Sequence, residues 1–144
     1  MKATYEQVID DILSIASSHK QVNDTGYGDV WEINKTQNNK PIVWITDSKS
    51  RLNGGRLVFG FHLLILDQTT HDESNEKKII SDCMLIGVDI IGKLWNYSTV
   101  YHIDDENVSI NVVTEFDKSK DAGVRFEIDI IVDEALNSCD APFE

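Results

Sequence analysis

Two cysteines, two prolines and only thirteen basic residues occur in this chain of 144, and each scarcity narrows what it can be. Cys83 and Cys139 are too few for the multi-bridge framework of a small secreted domain, so free thiols in a reducing compartment are the simpler expectation. The prolines fall where no regular element is expected, Pro41 closing a polar connector and Pro142 in the tail. Thirteen Lys and Arg against 25 Asp and Glu give a net charge of −12. That leaves no cationic surface to displace counterions from phosphates, so tight nucleic-acid binding is not expected. No apolar run approaches the ~20 residues that cross a bilayer. Residues 1–10 carry acids where a secretory leader carries basic and then apolar residues, so no leader is expected there.

What the chain does have is apolar residues at regular spacing, and 41% hydrophobic residues suffice for one core in a chain of this length. Residues 74–96, SNEKKIISDCMLIGVDIIGKLWN, dominate. Ile80, Met84, Gly87, Ile91 and Leu94 alternate at four and three residues, with Ile79, Cys83, Ile90 and Trp95 flanking them. Lys78, Asp82, Asp89, Lys93 and Asn96 take the opposite side, with Leu85 a lone apolar residue among them. An arc that wide predicts a helix lying on a sheet and carrying the core. Thr4 and Gln7 stand at capping-box spacing. Tyr5, Val8, Ile9, Ile12, Leu13, Ile15 and Ala16 share a face beyond them, predicting a second amphipathic helix that ends near Lys20.

Strands fill most of the rest. Residues 29–34 and 42–46 read as two strands joined by the connector 36–41. Residues 23–28, NDTGYG, read as a loop whose lone G-x-G lacks the preceding strand and following helix of a dinucleotide fingerprint. Residues 47–55 read as a loop with a tight turn at Asn53-Gly54-Gly55. Residues 56–67 form the longest strand signal. Leu57, Phe59, Phe61, Leu63 and Ile65 point one way; Val58, Gly60, His62, Leu64 and Leu66 point the other. Both sides are mostly apolar and both need cover. Helices can cover one, and the other calls for a second layer or a neighbouring subunit. An acidic loop at 68–73, a short strand at 99–103 and an acidic turn at 104–107 lead to a hairpin, 108–116 and 124–133. In its second arm Val124, Phe126, Ile128, Ile130 and Val132 alternate with Arg125, Glu127, Asp129 and Asp133. The order α-β-β-β-α-β-β, with a short extra strand before the hairpin, defines an α+β fold. We expect a single two-layer domain over residues 1–134, two helices packed on one face of a mostly antiparallel sheet, and an irregular tail, 135–144.

Chemistry is hard to find in this pattern. His19, His62, His71 and His102 fall in four different elements, with no second His or Cys two to four residues away, so no zinc site is expected. Asp117-x-Ser119-x-Asp121 opens like a calcium loop, but Ala122 stands where the turn needs glycine and Ile128 where a bidentate glutamate belongs. There is no G-x-S-x-G elbow, and Cys83 on an apolar helix face behaves as a small hydrophobe. His62, the one polar residue on the second face of the long strand, reads more simply as an interior or interface histidine than as a general base working with a neighbouring acid. Trp31, Trp44 and Trp95 either pack sheet against helix or frame an apolar ligand pocket. No catalytic, cofactor-binding or metal-binding residue is assigned.

The succession of an amphipathic helix, a first strand G-Y-G-D-V-W-E-I-N (26–34), a Pro-then-apolar second strand (Pro41, Ile42, Val43, Trp44), a long third strand, a second helix and a closing hairpin resembles the tail-terminator and tail-completion proteins of tailed bacteriophages. The similarity covers roughly residues 4–133. It implies a non-enzymatic structural protein of the virion, assembled in the host cytoplasm. It further implies a hexameric or dodecameric ring in the head-to-tail neck or at the tail end, docked to other neck or tail ring or tube proteins. DNA would pass through its channel without specific binding, eased by an acidic lumen, and no membrane would be involved. A closed ring needs two unlike surfaces that meet head to tail. The residues read as able to supply them are Val58, His62, Leu64 and Leu66 on the long strand, Leu85 outside the core helix, and Phe143 in the tail. The alternative is a small α+β ligand- or protein-binding module with an apolar pocket framed by the tryptophans.

Overall fold

The computed structural model describes residues 3–35, 39–69, 74–116, 121–133, 135, 136 and 142. Helix α1, Tyr5–Ser18, begins where the Thr4 hydroxyl accepts the Gln7 N–H at 3.1 Å, satisfying one of the donors that a helix start leaves open. It buries Val8, Ile9, Ile12, Ile15 and Ala16, the face expected from their spacing. Helix α2, Glu76–Leu94, lies beside it on the same side of one sheet. Its buried line is Ile79, Cys83, Ile86, Gly87, Ile90 and Leu94, turned from the expected centre line. Ile80, Met84 and Ile91 are half-buried flanks, and Trp95 caps the helix from outside. The arc was wide enough to rest on the sheet through either of two adjacent lines. Gly87 belongs to both lines and lets the helix come close to the sheet: a Cβ there would run into the Phe126 ring.

The strands are β1 (Asp24–Tyr27), β2 (Ile42–Asp47), β3 (Arg51–Asn53), β4 (Arg56–Asp67), β5 (His102–Ile103), β6 (Ser109–Phe116) and β7 (Asp121–Val132). Across the sheet they run β1, β2, β4, β7. Beyond these, β3 extends the β2 side of β4, while β6 and β5 share the far side of β7. Among the described residues only β1 against β2 is parallel. The centre is the long antiparallel pair of β4 and β7, in register from Leu57 opposite Val132 to Asp67 opposite Ala122. The fold is the expected one: a single α+β domain with two helices on one face of a mostly antiparallel sheet. Val43, Ile45, Phe59, Phe61, Leu63, Ile65, Phe126 and Ile128 meet the helices in the main core.

Three local expectations need correction. Residues 29–34 are not a strand; Val30–Lys35 is a 3-10 helix. Residues 23–28 are not wholly loop, because β1 lies there. Gly26 allows this: it sits against the Trp44 ring, where any Cβ would collide. Residues 47–55 contain β3, which turns through Gly54 and Gly55, both at positive φ, into β4. These changes decide what covers the second face of β4. The 3-10 helix carries Ile33 onto that face, where it closes a second core with Ile42, Trp44, Leu64 and Leu66, bordered by Val113. Leu64 is 3% and Leu66 0% exposed in the single chain, and Val58 is buried between β3 and β7. Reading Val58, Leu64 and Leu66 as surface left for a neighbour is therefore corrected: the second layer comes from the chain itself.

Candidate functional surfaces

The 3-10 helix covers only half of the outer sheet face. On the other half the register sets Thr46 of β2, His62 of β4, Glu127 of β7 and Ser109 of β6 side by side. Arg125 and Asn111 stand in the next row. Glu127 collects most of the polar contacts. Ser109 Oγ donates to its Oε2 at 3.3 Å, and Arg125 and the His62 Nε2 approach its Oε1 at 3.5 and 3.6 Å. Arg51 reaches Asp129 at 3.2 Å. One end is closed by the backbone of 48–50: the Ser48 N–H donates to the Gly60 carbonyl at 3.0 Å, and Lys49 lies where a Cβ on residue 60 would be. A general base must sit within hydrogen-bond reach of the group it deprotonates. Among the described residues no hydrogen bond joins a hydroxyl to a His62 nitrogen, and the Ser109 hydroxyl is turned to Glu127. The arrangement is a cross-strand charge network on a half-buried floor.

The other described histidines also stand beside carboxylates. His19 Nδ1 accepts the Gln21 N–H at 3.1 Å, which leaves Nε2 to donate to Asp89 at 2.9 Å and ties the end of α1 to α2. A shallow cleft of about 230 Å³ lies there, lined by Ile15, Ser18, His19, Asp89, Ile90 and Lys93. His102 is 3.6 Å from Asp133, and His71 lies outside the described residues. Among the described residues no group of three His, Cys, Asp or Glu converges to hold a metal ion. Of the calcium-like segment, residues 117–120 lie outside the description, and Asp121 is buried against Lys40.

A second polar clasp joins the start of α1 to the sheet. The Tyr5 and Tyr27 hydroxyls both donate to Asp47 Oδ1, the latter at 2.6 Å, while Tyr5 stacks on Phe61 with ring centroids 5.0 Å apart. Burial, then the bond to Asp47, pushes the Tyr5 phenol well above its ordinary range. For Tyr27 the bond to Asp47 is the leading cause of a rise in the same direction.

Trp44 and Trp95 do not share a pocket. Trp44 lies in the second core, its Nε1–H donating to the Gly28 carbonyl at 3.2 Å; Trp95 is exposed at the end of α2, on the other side of the sheet. The Trp31 side chain lies outside the description, as does Phe143. Leu85 is exposed, as its place outside the core arc predicts, but it is not alone: Val88 and Trp95 join it. Two further apolar pairs are exposed at opposite ends of the sheet, Tyr27 and Val30 at β1 and Ile110 and Val112 on β6. Sequence reasoning missed these pairs because their exposure depends on strand order.

Fold and surfaces together define an α+β protein with one sheet face under helices and the other shared between a short lid and a charge network. In comparisons with known proteins, no family model matches the chain and no curated protein matches it in sequence.

Proposed function

We propose that the chain is a non-enzymatic structural subunit of a tailed-bacteriophage virion, closing into a ring around the DNA channel in the neck or at the tail end. Apart from residues 29–34, a 3-10 helix where the resemblance has strand, the element order that carries it is also the order of the fold: α1, the strands up to β4, α2, and a closing hairpin on one sheet. The observation that carries the reading further is that the sheet ends in two unlike edges. At one stands β1 with Tyr27 exposed, followed by Val30, exposed at the start of the 3-10 helix; at the other, β6 with Ile110 and Val112 exposed. Head-to-tail closure joins one kind of surface to another, which such a pair of edges offers. Edge strands that stay solitary are commonly blunted by Lys or Pro. The stretch Ser109–Phe116 contains neither, although a bulge between Val113 and Phe116 interrupts its far end. With Val58, Leu64 and Leu66 accounted for inside the chain, these edges replace them as the proposed contact. The net charge of −12 suits a channel that DNA traverses without adhering.

Light scattering with negative-stain imaging tests the proposal. The expected species is a hexamer or dodecamer, reduced to smaller species by Val112→Lys. A protein that stays strictly monomeric and also fails to join purified neck or tail particles defeats it.

A further inference from the structure

The outward side of α2 carries an apolar line that the core does not use. Leu85 and Trp95 are each 61% exposed and Val88 51%. With Ser81 and Gly92 they recur at four, three, four and three residues, the spacing of a helix-pairing seam. Space above Gly92 is open: a Cβ there would meet nothing. Half-buried Met84 and Ile91 border the line on one side, and Lys78, Asp82, Asp89 and Lys93 on the other. A helix apolar on opposite sides is ordinarily covered on both. Here the sheet covers one side only.

The sizes along the line indicate what fits the other. Its bulky residues are Leu85 and Trp95, its small ones Ser81 and Gly92, with Val88 between. Turned end for end about Val88, a second α2 brings Trp95 level with Ser81 and Leu85 within one residue, about 1.5 Å, of the level of Gly92, while Val88 faces itself. Each large side chain then meets a small one, as ridges fill grooves in packed helices. Rim charges follow the same twofold: Lys93 of one copy comes within one residue of the level of Asp82 of the other, twice over, beside the exposed 3.0 Å pair that Asp82 makes with Lys78 of its own chain. Asp89, the acid nearest the axis, is turned aside to His19 of its own chain at 2.9 Å.

We propose that a second copy of this chain docks here, α2 antiparallel to α2, on a twofold axis at Val88. The contact is isologous, unlike a head-to-tail edge contact, and stands whether or not the sheet edges close a ring. On a ring it would join two rings face to face. One line on a helix of 19 residues, about 28 Å long at 1.5 Å per residue, covers less than a standard stable interface. An isolated pair is therefore a weak, concentration-dependent dimer, strengthened when several such contacts act together.

Val88→Cys in the full chain with Cys139→Ser tests this under mild oxidation, with Leu52→Cys, exposed on β3 away from α2, as the background. The twofold brings residue 88 against its own copy, where a disulfide can close. Val88→Cys should give covalent dimer at least about tenfold faster than Leu52→Cys, because docking raises the local thiol concentration. Leu85→Glu should remove that advantage while leaving the thermal midpoint unchanged. Equal rates at the two positions, or cross-linking that survives Leu85→Glu, overturns the proposal. Sedimentation of the unmodified chain supplies a second readout: a mass that does not rise with concentration also overturns it. Val112→Lys should abolish ring-sized species and leave the Val88→Cys cross-link intact, so failure of either contact can be told from failure of the other.

Discussion

Asp121 begins β7 with its side chain 1% exposed, and Lys40, itself mostly buried, bonds to its Oδ2. A carboxylate so far from water must keep its counter-charge. Lys40→Met should lower unfolding free energy by about 3 kcal/mol in denaturant titration. Lys78→Met, which breaks the exposed pair with Asp82, should cost less than about 0.5 kcal/mol. Gly123 makes a different demand, since a Cβ there would strike the Ile65 carbonyl across the β4–β7 pair. Backbone cannot step aside as a side chain can, so Gly123→Ala should destabilise by about 2 kcal/mol despite adding one methyl group. Burial pushes the Tyr101 phenol up, with its 2.7 Å bond to Asp11 adding to the rise. The folded state thus favours the protonated phenol. That stability is complete below the free phenol value of about 10 and drains away as pH rises beyond it. Thermal midpoints should fall above about pH 10, and less steeply in Tyr101→Phe. Cys83, pushed by burial up to about 12, should stay unreactive to thiol reagents at neutral pH until the chain unfolds.

At the scale of elements, legibility tracked length. The spacing of residues 56–67 and of the second hairpin arm foretold β4 and β7, because each strand is long enough for its alternation to be decisive. Helix α1 was legible down to its Thr4 cap. The segment 23–35 was misread because it is short. Val30, Trp31 and Ile33 have strand propensity, yet burying Ile33 on Trp44 and Leu64 outweighs it. The same error hid the lid over β4 and made its second face look uncovered. The His62–Glu127 contact was half legible: His62 stood out on its strand, but the acid opposite could be named only once the β4–β7 register was known. If the 3-10 helix is the lid described, Ile33→Ala should cost about 3 kcal/mol and raise binding of a hydrophobic dye. Leu85→Ala should leave the monomer within about 0.5 kcal/mol of the parent.

For the whole molecule, charge opposes the association argued above. Copies each bearing −12 repel one another, and salt screens that repulsion over a Debye length of about 10 Å at 0.1 M. Both the proposed head-to-tail contact and the proposed twofold contact would be largely apolar, so light scattering should show larger species as ionic strength rises from low to moderate. A mass that falls with added salt would mean that ion pairs hold the assembly together instead.

The central pairing of β4 with β7 bears on how the molecule comes into being. The two strands that form its spine are separated in the chain by α2, β5 and β6. While the ribosome is still making those segments, β4 has emerged with both of its greasy sides and no permanent neighbour on the β7 side. Contacts made across so much chain are slow to find, and nascent protein in that interval is exposed to wrong partners. Helix α2, arriving first, is the element placed to shelter Leu63 and Ile65 until the last strand is synthesised and slides in beneath it.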